Sequence, residues 1–215
     1  YTPYLPTKQP AELLTIASHI LGTGQLSLAK YLFITADDSN QLRTKDIFQY
    51  LRFVFERVDW RRDLHFYTNT TIDTLDYSAK TLNSGSKLTI AAYGEIIRDL
   101  ALEIDPLFQS VPLVKNAALV MPGVIAVQLP AYIDDATAEA EYTLLQEQLI
   151  GLAASTHNIT SGKQAVSMIV LCDDASFVAA SLNNFLWVTF TRSNPANDVQ
   201  GIQPFVANKH WGCHG

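Results

Sequence analysis

The sequence predicts an α/β fold: a layered, mixed or parallel sheet with flanking helices, built from two tandem related β-α units. Three observations carry that expectation. Short apolar runs at 31–35, 124–129 and 166–171 have the length of strands. Stretches with apolar residues at three- and four-residue spacing alternate with them, as helices covering a sheet would. The acidic pair after the first run, Asp37-Asp38, recurs as Asp173-Asp174 after the third.

The elements follow in order. From Pro10 to Leu21 the apolar residues Leu13, Leu14, Ile16, Ala17, Ile20 and Leu21 make one helical stripe, and Gly22 and Gly24 end it. Tyr31-Leu32-Phe33-Ile34-Thr35 is apolar on both faces, which suits a central strand covered on both sides. Thr44 can cap the next helix, whose inner face is Ile47, Phe48, Leu51, Val54 and Phe55 and whose outer face is Gln49, Arg52 and Glu56. The extended stretch 63–67 is expected to leave the sheet and pack on a neighbour. A further helical pattern, Ile96, Ile97, Leu100 and Leu102, falls between Gly94 and Pro112.

In the second half, 124–129 reads as a strand, 138–152 as a helix, 166–171 as a strand and 176–191 as a single helix. Alignment of the two halves places Asp37 and Asp38 on Asp173 and Asp174. After a one-residue deletion, Leu51, Phe55, Arg57 and Asp63 fall on Leu186, Phe190, Arg192 and Asp198. That match, with the same element order, indicates a duplication. No Gly/Ser-rich linker separates the halves, so residues 1–215 are expected to form a single domain with repeat units at about 1–100 and 101–215.

Composition bounds the function. Apolar residues are 48 % of the 215 and charged residues 17 %, below the roughly 25 % usual for soluble domains. Disorder is excluded, and spare apolar surface points to a partner. A net charge of −6 argues against binding nucleic acid by counterion release. No run approaches the roughly 18 apolar residues of a membrane helix. Two cysteines, Cys172 and Cys213, are too few for a disulfide scaffold and point to a reducing, cytoplasmic setting. The chain opens Tyr1-Thr2-Pro3 without methionine and closes on Lys209-His210-Trp211-Gly212-Cys213-His214. These ends read as those of a piece of a longer protein.

Four constellations could carry chemistry. The Asp pairs at strand ends, Asp37-Asp38 and Asp173-Asp174, could hold Mg²⁺, as in a free-standing Mg²⁺ enzyme, or simply start a turn. Arg57 with Asp59 and Asp63, and Arg192 with Asn194 and Asp198, have the composition of guanidinium–carboxylate braces, or of a clamp for an anion. His210, Cys213 and His214 are zinc-ligand types at a spacing that matches no strong zinc pattern. Ser84-Gly85-Ser86-Lys87 reads as a polar β-turn, with an anion site as the sharper alternative. No nucleophile elbow, Cys-x-x-Cys, dinucleotide fingerprint or Walker loop occurs.

The order of these motifs resembles the C-terminal part of the UbiD family, decarboxylases that use prenylated flavin mononucleotide. The residues that carry the likeness are Tyr31 to Asp38, Arg57-Val58-Asp59-Trp60-Arg61-Arg62-Asp63, Thr71 to Tyr77 with its Asp73-Thr74-Leu75-Asp76, and Gly85-Ser86-Lys87. Gly22 to Lys30 resembles the family's Gly-x-Gly-Gln segment, Thr191 to Asp198 a second copy of the Arg-containing motif, and Lys209 to Cys213 a motif near the end of long members. Trp60 stands where the family usually has proline, the acidic cluster is one residue short, and Gly-Ser-Lys lacks the aspartate that tends to follow it.

The resemblance implies a parent that removes CO₂ from an aromatic or α,β-unsaturated acid, in the manner of a 3-polyprenyl-4-hydroxybenzoate decarboxylase. It implies prenylated FMN with a divalent metal on an upstream domain, and no cofactor on this segment. The partners it implies are that upstream flavin-binding domain and further copies in a homo-oligomer. The catalytic Arg and Glu residues of the family have no counterpart here, so no catalytic residue carries over. The matching positions Asp37, Asp38, Arg57, Asp63, Gly85, Ser86, Lys87, Arg192 and Asp198 are implied to be structural or to wall the pocket. A non-catalytic assembly module, in a parent that has lost its site, is the other reading.

Overall fold

A computed structural model describes residues 10–37, 42–43, 45–78, 81–156 and 162–214. They fall into two compact units, Tyr1–Ile96 with Thr189–Gly215, and Ile97–Val188. Both are α/β, with parallel and antiparallel strand pairs in one sheet, as the apolar runs predict.

The first unit opens with helix α1 (Pro10–Leu21), whose buried stripe is Leu13, Ala17 and Leu21, and a tight turn at Gly24–Leu28. Strand β1 (Tyr31–Thr35) follows, then helix α2 (Ile47–Arg57). The α2 cap is Asp46, whose carboxylate accepts the Gln49 amide at 3.1 Å; the expected cap, Thr44, lies outside the described residues. Strands β2 (Leu64–Thr71) and β3 (Ser84–Ala92) complete a sheet of order β1-β3-β2. β1 is therefore an edge strand with half-buried residues, not the expected central one. Its apolar run is covered on both faces, but β3 takes the middle and is buried from Gly85 onward. Residues 63–67 do not leave the sheet: β2 pairs antiparallel with β3 from Leu64↔Ile90 to Tyr67↔Lys87.

Alternation assigns the two faces. Tyr31, Phe33, Leu88 and Phe66 share one, where Phe33 meets Phe55 of α2 edge-on at 6.4 Å and Phe190 at 5.4 Å. The C-terminal segment packs here too through helix α7 (Pro195–Asp198), and its hairpin of β9 (Phe205–Ala207) and β10 (His210–Gly212) meets the sheet at β2 through β10. Trp211 lies edge-on to Phe66 at 5.4 Å. The opposite face carries Leu32, Ile34, Lys87, Thr89, Ala91 and His65, and α1 with the Gly24–Leu28 turn packs over it.

The second unit begins with β4 (Arg98–Leu100) and a short helix, α3 (Pro106–Gln109). The helical pattern expected between Gly94 and Pro112 is thus a strand, parallel to β7 (Gly162–Ala165). Leu100 is its buried member, while Ile96, Ile97 and Leu102 are exposed, so the spacing never defined one buried face. A hairpin, β5 (Asn116–Met121) and β6 (Val124–Gln128), supplies the core strand: Val124, Ile125, Ala126 and Val127 are fully buried. Gly123 turns that hairpin with φ +73, and a Cβ there would lie 2.5 Å from Leu100 Cδ2. Helix α4 (Asp135–Thr156) starts before the expected Ala138 because the Asp134 carboxylate accepts the Thr137 amide at 2.8 Å.

Strand β8 (Met168–Cys172) pairs parallel with β6, giving the order β5-β6-β8. The single helix expected at 176–191 is broken. Asp174 caps α5 (Ala175–Ala179), Ser181 turns extended and caps α6 (Leu182–Leu186), and one wider turn runs from Trp187 to Thr191. In the first unit the parallel strand precedes the hairpin, and in the second it follows it. Among the described residues no helix is long and apolar enough to cross a membrane.

Candidate functional site

Lys30, Tyr31, Asp76, Ser78 and Ser86 meet segment 189–198 in a polar cluster at the start of β1 and β3. Lys30, at the foot of β1, is 8 % exposed and yet charged, so it needs partners. Its ammonium meets Asp76 Oδ2 at 2.7 Å, Ser78 Oγ at 3.0 Å and the Thr191 carbonyl at 3.3 Å. This ties the loop after β2 and the C-terminal segment to the sheet. Burial pushes the Asp76 carboxyl up, but Lys30, the Ser78 hydroxyl and the Ser78 amide together bring it below the ordinary carboxylate value. Beside it the Tyr31 hydroxyl and Ser193 Oγ are 2.6 Å apart. Burial raises the phenol to about 12, with the Asp198 and Asp76 charges adding and the Ser193 bond opposing.

On β3, Ser86 is buried and bonds Asn194 Oδ1, while its Oγ accepts the Ala196 amide at 2.8 Å. Lys87 points to the other face, 4 % exposed, and donates to the Ser27 carbonyl and to that of Ala29 at 3.3 Å. Burial lowers its pKa. Its charge thus closes the Gly24–Leu28 turn. Gly85-Ser86-Lys87 is not the expected turn but the first part of β3; the turn lies just before it, with Asn83 at φ 56. Gly85 is required by contact, since a Cβ would stand 2.8 Å from Ile72 Cδ1.

The two Arg-containing motifs form matching turns. Asp63 Oδ2 accepts the Asp59 amide at 2.9 Å, and the Arg62 and Asp63 amides return to the Asp59 carbonyl. In the other copy Asp198 Oδ2 accepts the Asn194 amide, and the Asn197 and Asp198 amides return to the Asn194 carbonyl. The guanidinium partners differ from those expected. Arg62 grips Asp63 (2.6 Å) and Arg61 grips Asp59 (2.9 Å). Arg57 instead pairs with Glu56 at 3.2 Å, donates to the Phe53 carbonyl and stacks 3.6 Å over the Phe53 ring, because it is still on α2 and faces back along it. Burial raises the Asp63 carboxyl despite the Arg62 bond and the Asp59 amide. Arg192 lies exposed at the end of the wide turn.

Elsewhere the motifs separate. Asp37 accepts the Leu42 amide at 2.6 Å, and Asp38 lies outside the described residues. Asp174 caps α5. The His210/Cys213/His214 constellation is dispersed: His214 stacks on Phe205, Cys213 packs where Gly201 leaves room, and His210 faces His65. Lys30, Tyr31, Asp76 and Ser193 are not recognisable as a group from sequence. Lys30 and Asp76 each sit inside a family motif, but their pairing spans loops that no spacing rule connects.

These groups bind one another, through buried contacts between a strand, a loop and a C-terminal turn. They do not fit a flavin or its metal: the two buried ammoniums are taken by carbonyls, a hydroxyl and Asp76. Among the described residues no three His, Cys, Asp or Glu side chains could hold a metal ion.

An α/β unit closed in this way, by a buried Ser-Lys strand and two Arg-containing motifs, uses its buried polar groups to hold its own segments together. Residues 5–92 match the family described as 3-octaprenyl-4-hydroxybenzoate carboxy-lyase C-terminal domain, which marks this part of the chain as UbiD-type. It is 31 % identical over 196 residues to a Chlamydia pneumoniae protein named as a subunit of 4-hydroxybenzoate decarboxylase, covering 91 % of this chain and 30 % of that protein. Proteins of Chlamydia caviae (31 %) and Chlamydia trachomatis (32 %) match over 188 residues, 87 % of this chain and 28 % of theirs. The chain thus spans less than a third of the length of these relatives.

Proposed function

We propose that the chain is the C-terminal part of a UbiD-type carboxy-lyase acting on an aromatic or α,β-unsaturated acid, in which it joins subunits and walls the active site without contributing a catalytic residue. The observation that carries this reading is the family match over residues 5–92, joined to likeness with a protein named as part of a decarboxylase. The spending of Lys30, Lys87, Asp63 and Asp198 on internal bonds supports a scaffold role. Prenylated FMN and its divalent metal belong, on this reading, to the preceding part of the parent.

The test is the visible absorption spectrum of the full-length parent, co-expressed with a flavin prenyltransferase, beside that of the 215-residue chain. A flavin band and CO₂ release in the parent, with neither in the chain alone, is the expected result. Decarboxylation by the chain alone would overturn the division of roles. A folded parent without flavin would favour a non-catalytic assembly module.

A further inference from the structure

His65 and His210 are remote in sequence and meet in the first unit. β2 brings one and β10 the other, with ring centroids 5.5 Å apart and planes inclined at 53°. The Nε2 atom of each ring is buried with no hydrogen-bond partner. A third such atom, Thr89 Oγ1, belongs to the residue directly opposite His65 on β3, so the hydroxyl leaves the sheet on the same face beside that ring. Thr89 is 1 % exposed.

Buried polar atoms without partners carry their whole desolvation cost, and native structures keep few of them. Three on neighbouring residues call for a small polar occupant. Neither Nδ1 is orphaned in this way, so the ring proton can reside there and leave Nε2 with its lone pair. Lys87, on the same face two residues before Thr89, directs its ammonium to the Ser27 and Ala29 carbonyls instead.

We propose that His65 Nε2 and His210 Nε2 together bind one transition-metal ion of the zinc class, with the Thr89 hydroxyl beside it and water completing the shell. Imidazole is a preferred donor for such ions. A zinc ion at about 2.0–2.1 Å from a nitrogen it meets head-on lies about 3.2 Å from that ring's centre, so centroids 5.5 Å apart are close enough for both rings to reach one ion. Two imidazoles are fewer than the three protein ligands of a catalytic zinc and the four of a closed structural one, so water fills the remaining positions and what the ion joins is its two ligand strands. The ion is therefore a clip: it pins the β9–β10 hairpin to the edge of the sheet at β2.

The experiment is thermal unfolding of the full 215-residue chain, first stripped with a chelator, with and without Zn²⁺, and with Mg²⁺ as the hard-cation control. Binding to the folded state alone raises the midpoint, by about 5–10 °C with free metal near a hundredfold its Kd. Zn²⁺ should produce that rise and Mg²⁺ should not. His65→Gln and His210→Gln should each abolish it, whereas His214→Gln should retain it. The rise is read against each variant's own metal-free midpoint, and His210→Phe, which keeps a ring against His65, replaces a variant that fails to fold. On wild-type protein, one equivalent of Co²⁺ should give the visible bands of a four-coordinate ion. No zinc-dependent rise in the wild type, a rise that survives both His65→Gln and His210→Gln, or absent Co²⁺ bands would overturn the proposal.

Discussion

The Lys30–Asp76 pair shows how one residue's charge holds three segments. An ammonium that is 8 % exposed is tolerable only while a carboxylate, a hydroxyl and a carbonyl surround it. Removing the carboxylate leaves the charge buried with neutral partners. Asp76→Asn should therefore cost about 2–3 kcal/mol at neutral pH, somewhat under the roughly 3–5 kcal/mol of a fully buried broken pair, because Asp76 retains some water. The pH dependence has a definite sign. The folded-state pKa of Asp76 is below its unfolded value, so its contribution is present above about pH 4 and lost as pH falls through the lowered value. Urea unfolding at pH 7 and at pH 3, followed by tryptophan fluorescence in a Trp187→Phe background so that Trp60 and Trp211 report, checks both points. The wild type should lose more stability between the two than Asp76→Asn does. Equal losses would show that the carboxylate is not the titrating group.

Elements are legible in proportion to how far one side-chain pattern settles them. α1 and α2 each carry a stripe that one sheet face buries, and β1, β6 and β8 are apolar runs of strand length. β2 does not announce its place because Tyr67 to Asn69 are exposed and the strand is held mainly by its ladder to β3. β4 is disguised because Ile96, Ile97, Leu100 and Leu102 imitate a helical period, although only Leu100 is buried. Strand order escapes the sequence too, since nothing in β1 shows that β3 lies beside it on one side only. Of the candidate site, Asp63, Asp198 and Ser86-Lys87 are visible as motifs, but their bonds depend on which backbone amide or carbonyl the fold presents. The matching turns make this testable. Asp63→Ala and Asp198→Ala each remove an acceptor from a backbone amide at the same place in the turn. Each should cost about 1–3 kcal/mol in chemical unfolding. The Asp63 change should cost more, because it also removes the ion-pair partner of Arg62 and its carboxylate is buried, whereas Asp198 is exposed.

At the scale of the whole molecule, the division into two units is not a division of the chain into two halves. The first unit takes its last 27 residues, 189–215, from beyond the second. Those residues supply Phe190 against Tyr31 and Phe33, the Thr191 carbonyl to Lys30, Asn194 to Ser86 and Trp211 to Phe66. Residues 1–96 alone would expose that aromatic face and leave Lys30 and Ser86 short of partners, each a cost of the kind that unfolds small domains. The second unit, 97–188, is one continuous segment whose buried central strand β6 packs against β5, β8 and α5 of the same unit. Expressed separately, 97–188 should fold, with a cooperative melt and dispersed amide resonances. Residues 1–96 should not, and should gain structure when 189–215 is joined to them through a short Gly/Ser linker, which at most adds a small closure entropy. A cooperative melt from 1–96 alone would show that the C-terminal segment docks on a unit already stable, and the polar cluster at Lys30 would then be a contact surface, not part of the core.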